Sequence, residues 1–289
     1  MSQERVTTAD VQGLITTMRL ADVTADRTAA EAERASLGIS QQNKERLLSL
    51  FSPVLLLILW EVLVQTGMLD KRFFPAPSSI VGTFTNLITS GELWKHLTAS
   101  ISRIAVGFVM GAVPAILLGI TMGLFRWPRA FFSPMVAALY PIPKIAILPL
   151  IMLIFGLGEM SKYVIIAIGV FFLVLYNTWA GVMNIPHIYL DVGKNFGASR
   201  LQFYWTIAIP GALPLIFTGL KLAAGVALLI IVAAEFVGAK TGIGYLIWQS
   251  WQTFSVETMY VGLVVIAILG YLVSLLMDEL EHFLIPWRL

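Results

Sequence analysis

Asp191-Val-Gly-Lys-Asn-Phe-Gly-Ala-Ser-Arg200-Leu-Gln-Phe-Tyr-Trp-Thr-Ile-Ala-Ile-Pro210 decides how the rest of the chain is read. It is a polar island, carrying Lys194, Asn195, Ser199, Arg200 and Gln202, set between two long apolar runs. Unpaired polar backbone and charged side chains are costly in hydrocarbon, so this segment belongs in water between two membrane spans. A glycine sits near its centre and a proline closes it. Such a stretch predicts a short helix with a glycine bend. Ala198 and Ser199 are small enough to let another surface approach closely.

The composition agrees. Of 289 residues, 58% are hydrophobic and 12% charged, with mean hydropathy +0.84. A soluble domain carries about 25% charged residues, so the chain reads as a membrane protein. The net charge of +2 gives no argument for nucleic acid. The absence of cysteine excludes disulfides, thiol nucleophiles and cysteine-ligated metals. His96, His187 and His282 lie far apart in sequence, so no metal-ligand spacing arises. No catalytic or metal-binding residue is expected.

About 20 largely apolar residues cross a bilayer as a helix. Six such stretches are expected, at about 47–67, 104–125, 131–157, 163–183, 208–234 and 258–277. The third is interrupted by Pro141, Pro143, Lys144 and Pro149. Residues 1–46 mix Arg5, Arg19, Arg27 and Arg34 with Asp10, Asp22, Glu31 and Glu33. This pattern does not suit a signal peptide. It reads as an amino-terminal cytoplasmic extension, partly helical at 28–35, ahead of a transmembrane domain at 47–289. Basic residues favour the cytoplasmic side of spans. With the amino terminus inside, 11 flanking basic residues fall in the cytoplasm. The other 6, Lys71, Arg72, Lys95, Arg103, Lys162 and Lys240, fall outside. That orientation also puts the 186–205 loop in the cytoplasm.

Between the first two spans, Phe73-Phe-Pro-Ala-Pro-Ser-Ser79 predicts a turn and a serine-capped interfacial helix. Gly238, Gly242 and Gly244, followed by Tyr245, Trp248 and Trp251, predict a short helix dipping at the surface. Gly107, Gly111, Gly119 and Gly123 place small residues four apart, a pattern that permits close helix packing within the subunit.

Nothing here binds ATP by a phosphate-cradling loop. Gly193-Lys194 is followed by Asn195 and has Ile188 where the first glycine is needed; Lys240-Thr241 is preceded by Ala239. Three ionisable residues within or bordering apolar segments are candidates for a substrate path: Lys144, Lys221 and Glu235. Lys221 and Glu235 are separated by about 21 Å along one helix axis and share nearly one face. Each also has a structural reading. These are a hydrogen bond from Lys144 to the carbonyls freed by its flanking prolines, an ion pair or snorkelling at Lys221, and a cap by Glu235 on the loop that follows it.

The opening stretch resembles the EAA loop of ABC-transporter permeases, in which Glu-Ala-Ala, three residues, Gly, nine residues, Ile, one residue and Leu-Pro follow in order. Gly197, Ile207 and Pro210 stand at that spacing, while Asp191-Val192-Gly193 and Ile209 depart from it. Three further stretches are similar to the nitrate/sulfonate/taurine/bicarbonate branch. They are Pro141-Ile-Pro-Lys-Ile-Ala-Ile-Leu-Pro149, Ile209-Pro-Gly-Ala-Leu-Pro214 with Thr218-Gly-Leu-Lys221, and Ala233-Ala-Glu-Phe-Val-Gly-Ala-Lys-Thr-Gly-Ile-Gly-Tyr245. Lys221 stands where many members carry arginine. The resemblance implies an all-α type I ABC importer permease with six transmembrane helices, paired with a second copy of itself in a bacterial inner membrane. It implies cytoplasmic ATPase subunits that hold ATP and magnesium, and an extracytoplasmic substrate-binding protein. The cargo would be a small oxyanion, of the aliphatic sulfonate or taurine class or the nitrate or bicarbonate class. Asp191, Gly193, Gly197, Ala198, Ser199 and Arg200 would form the ATPase-coupling loop. The alternatives are an ion-coupled secondary transporter and a membrane anchor without an ATPase.

Overall fold

The structure, a computed structural model, describes residues 41–287. The expected helix at 28–35, and most of the extension at 1–46, lie outside these residues. The chain divides into two compact units, residues 1–68 and 69–289. In the first, α1 (Gln41–Gln65) carries the apolar stretch Phe51–Gln65. Phe51, Leu55, Leu56 and Ile58 are exposed along it, as suits a helix in a hydrocarbon medium. Near its end the Gln65 amide donates to the Glu61 carboxylate at 2.9 Å.

In the second unit every regular element among the described residues is a helix. It comprises α2 (Pro77–Thr89), α3 (Glu92–Leu124), α4 (Arg126–Leu139), α5 (Leu148–Phe155) and α6 (Glu159–Met183). Then follow α7 (His187–Asn195), α8 (Arg200–Phe203), α9 (Ile209–Gly238), α10 (Ile243–Gln252) and α11 (Val256–Leu284). A 3₁₀ turn at Lys144–Ile147 leads into α5, and a π turn at Tyr204–Ala208 leads into α9. Four helices are long and apolar enough to cross a bilayer: α3, α6, the continuous run Leu201–Gly238 that ends in α9, and α11. The α4–α5 pair passes the same test jointly but is bent by 87°.

Helix α6 lies at the centre, packed against α3 on one side and α9 on the other. The glycine pattern of α3 explains how closely it approaches. A Cβ added at Gly107 would lie 2.7 Å from the Ile166 Cβ, and one at Gly119 would lie 2.7 Å from the Thr178 Cβ. These glycines are intrasubunit packing positions, as their spacing suggested. The core they close includes Met122, Ile166, Val170, Leu175, Ala227 and Ile231.

Several boundaries differ from the sequence expectation. The second span was expected from residue 104, but α3 begins at Glu92. Its 33 residues extend about 50 Å at 1.5 Å per residue, well beyond a 30 Å hydrocarbon core. Hydropathy stopped short because Lys95, His96 and Arg103 lie in those first turns. His96 and Arg103 are nevertheless buried. The third expected span is two helices with a sharp bend between them. Helix α2 has no serine cap. Ala76 is its N-cap and Pro77 its first residue, while the Ser79 hydroxyl donates to the Ala76 carbonyl at 2.8 Å. Proline suits that position because its missing N–H would have no intrahelical partner there.

Candidate functional site

At one end of the bundle, the segment from α7 to the start of α9 forms a folded element with a distinct role for each glycine. Helix α7 ends in a Schellman arrangement. The Gly197 N–H donates to the Lys194 carbonyl at 3.0 Å and the Ala198 N–H to the Gly193 carbonyl at 2.9 Å. Gly197 takes φ +68° with open space where a Cβ would stand. It is therefore required by conformation, not by crowding. Gly193 is the packing residue: a Cβ there would come within 3.1 Å of the Phe203 ring and closer still to Ile207. Ile207 therefore seats the π turn against α7.

Ser199 and Gln202 then start α8 as a reciprocal capping box. The Gln202 amide oxygen accepts from the Ser199 N–H at 2.8 Å, and the Ser199 hydroxyl accepts from the Gln202 N–H at 3.3 Å. Arg200 opens α8; its side chain lies outside those described. Pro210 has no N–H to offer the Thr206 carbonyl. Just before it, the Ile209 N–H reaches back five residues to the Tyr204 carbonyl, closing the π turn. Asp191 and Lys194 form an exposed pair at 3.9 Å, a geometry that adds little stability.

This element exposes an apolar surface that the sequence reading missed. Ile188, Tyr189, Val192, Leu201 and Trp205 are exposed, and Phe196 is 86% exposed. Clustered on one element that also carries Asp191, Lys194, Asn195 and Gln202, such side chains mark a contact surface. The signal was available in the sequence as apolar residues interleaved with the polar island.

The three path candidates are found in three separate settings. Lys144 closes the bend between α4 and α5. Its ammonium donates to the carbonyls of Leu139, Tyr140 and Ile142 at 2.8–3.0 Å, and lies 4.5 Å from the Phe172 ring centroid. Lys221 joins α9 to α11, donating to Glu281 and pairing with Asp278, each at 2.5 Å. Glu235 is fully buried near the far end of α9. Its carboxylate accepts from the Ser100 hydroxyl at 2.9 Å, Arg103 Nη1 at 2.8 Å and the Gly244 N–H at 2.8 Å. Lys221 and Glu235 share a helix but take part in different clusters.

The Glu235 cluster was only partly expected. Arg103 also makes a two-pronged contact with Glu159, at 2.6 and 2.7 Å, and its Nη1 donates to the Thr241 carbonyl. The Ser100 hydroxyl accepts from the Ile243 N–H at 2.8 Å. One arginine thus ties α3, α6, α9 and the 239–242 loop together. Gly242, at φ +122°, leaves room for the Glu235 carboxylate, which a Cβ there would strike. Nearby on the same end of the unit, a concavity of about 710 Å³ opens among Lys71, Arg72, Trp251, Phe254 and Glu257. Arg72 beside Asp70 holds that carboxyl at about 2.

Comparison with known proteins fits this architecture. The chain is 34% identical over 268 residues to SsuC of Bacillus subtilis (strain 168), a permease named for aliphatic sulfonate transport. That match covers 91% of this chain and 94% of the relative. It is 31% identical over 246 residues to the taurine transport system permease TauC of Escherichia coli (strain K12), covering 83% and 90%. The fold is similar to a chain of the inward-facing MetNI methionine ABC transporter, with TM-score 0.57 and 21% identity, covering 69% of this chain and 97% of that one. The model of the family described as binding-protein-dependent transport system inner membrane component matches residues 115–287. The chain therefore belongs to that family, as the permease, or transport, subunit of an ABC importer rather than its ATPase.

Proposed function

We propose that this permease imports a small oxyanion of the aliphatic sulfonate or taurine class, driven by ATP hydrolysis on a separate subunit. The exposed apolar surface around Phe196 carries the coupling part of this reading. A rigid, capped element with apolar side chains facing water suits a partner's groove, and the 186–205 segment is where ATPase subunits would dock. ATP and magnesium would be held there by the partner. A second copy of the chain would complete the path, and a binding protein would deliver cargo at the opposite face. In this reading α1 and the bent α4–α5 pair each cross the membrane, giving six crossings with the amino terminus in the cytoplasm. The substrate class rests on the sulfonate and taurine relatives.

Lys144, Lys221 and Glu235 serve this function as positioning residues. Each holds together elements that must move as units when access alternates. The test is reconstitution with the ATPase and binding protein in proteoliposomes, following ATP-dependent accumulation of labelled taurine or an alkyl sulfonate. Accumulation that requires ATP and all components is expected. Uptake driven by an ion gradient without ATPase would establish the secondary-transport alternative instead.

A further inference from the structure

On the end of the bundle opposite the 186–205 loop, a cleft of about 460 Å³ is lined by Glu92, Lys95, His96, Lys240, Tyr245 and Gln249, among others. Its chemistry is donor-rich. His96 is only 4% exposed, and its Nδ1 accepts from the Gly242 N–H at 3.1 Å. In the neutral ring the proton must then reside on Nε2. That N–H has no hydrogen-bond partner among the described residues. The ring is held by stacking on Tyr245, with centroids 5.9 Å apart and planes inclined by 22°. Lys95 and Lys240 have no ion-pair partner among the described residues, and both line the same cleft. The Gln249 amide supplies a further donor.

We infer that this cleft binds a small monoanionic oxyanion of the sulfonate type on the outer face of the permease. The inference rests on the proposed import function for its orientation and ligand class. Charge sets the valence. Two lysines and one carboxylate, Glu92, leave the rim at +1, which one negative charge neutralises. An imidazole whose tautomer is fixed by a backbone N–H and whose ring is held by stacking is a preorganised donor that need not be reoriented on binding. A sulfonate group presents three acceptor oxygens in different directions, for the Nε2–H and the two ammonium groups. Glu92 adds discrimination, since it repels dianions and provides a partner for an amino group on the ligand.

The full-length chain in phosphatidylcholine nanodiscs can be tested with trifluoromethanesulfonate, observed by fluorine NMR line width. Saturable broadening is expected, competed by methanesulfonate but not by methylammonium. In the exposed double variant Lys95→Met/Lys240→Met, binding should weaken by at least about tenfold. Lys95→Arg/Lys240→Arg should retain it. Unchanged binding in the methionine variant, or no saturable binding in the wild type, would overturn the site. Loss of the signal on adding phosphatidylglycerol, without competition by methanesulfonate, would assign the cleft to a lipid headgroup and overturn the soluble-ligand reading. If proteoliposomes take up no sulfonate while the binding pattern persists, the transport reading fails and the site stands. If uptake is normal while binding is indifferent to the lysines, the reverse holds.

Discussion

Replacing Arg103 with leucine removes the one side chain that reaches Glu159, Glu235 and the Thr241 carbonyl together. The two carboxylates should respond differently. Glu159 is half exposed and can be solvated by water. Glu235 has no exposed surface, and its carboxylate would keep only the Ser100 hydroxyl and Gly244 N–H as hydrogen-bond donors. Breaking a buried pair in this way costs about 3–5 kcal/mol. Glu235→Gln should cost less, about 1.5–3 kcal/mol, the loss of hydrogen bonds to a charged acceptor. Arg103 would still hold Glu159, so no charge is stranded. The double variant Arg103→Leu/Glu235→Gln should then be more stable than Arg103→Leu alone, because the stranded charge is gone. Thermal unfolding of the purified subunit in detergent, followed by tryptophan fluorescence, gives the ranking. Equal losses in the two single variants, or additive losses in the double, would refute the argument that Arg103 compensates a buried charge.

Other outcomes follow from the same contacts. Gly197→Ala should leave insertion intact but strain the α7 C-terminus by about 1–2 kcal/mol, and Gly197→Asn should be milder; ATPase stimulation on reconstitution measures both. Gly193→Leu should uncouple more severely than Gly197→Ala, since it drives a side chain into Phe203 and Ile207; equal effects in the two would contradict the separate roles of the glycines. Lys221→Met should lower expression and stability by leaving Asp278 and Glu281 facing each other, and Lys221→Arg should restore them; a stable Lys221→Met subunit that fails only in uptake would instead place the lysine on the substrate path.

The 186–205 element was legible in the sequence because its marks are local. A polar island, a central glycine and a terminal proline lie within 20 residues, and their spacing alone predicts a bent helix. The polar clusters were less legible because their partners are distant. Glu281 lies 60 residues from Lys221, and Glu159 lies 56 from Arg103. Hydropathy assigns each such charge a penalty without seeing the partner that offsets it, which is why α3 was expected to begin after Arg103. Helical geometry puts Lys221 and Glu235 near one face. It could not reveal that α11 claims the first residue and α3 the second. The bend between α4 and α5 was anticipated from Pro141 and Pro143, but not its angle or the three carbonyls gathered by Lys144. Ser250 on α10 is buried and its hydroxyl donates to the Leu246 carbonyl, while the neighbouring Gln249 is exposed and suits labelling of that helix.

In the proposed function the 186–205 element meets the ATPase. A photo-crosslinking amino acid placed at Phe196 in the assembled transporter tests it directly, with the same probe at Gln249 as the comparison. A crosslink to the ATPase subunit is expected from position 196 and none from position 249. A crosslink to the ATPase from position 249, or its absence from position 196 in a complex that hydrolyses ATP and transports, would contradict it.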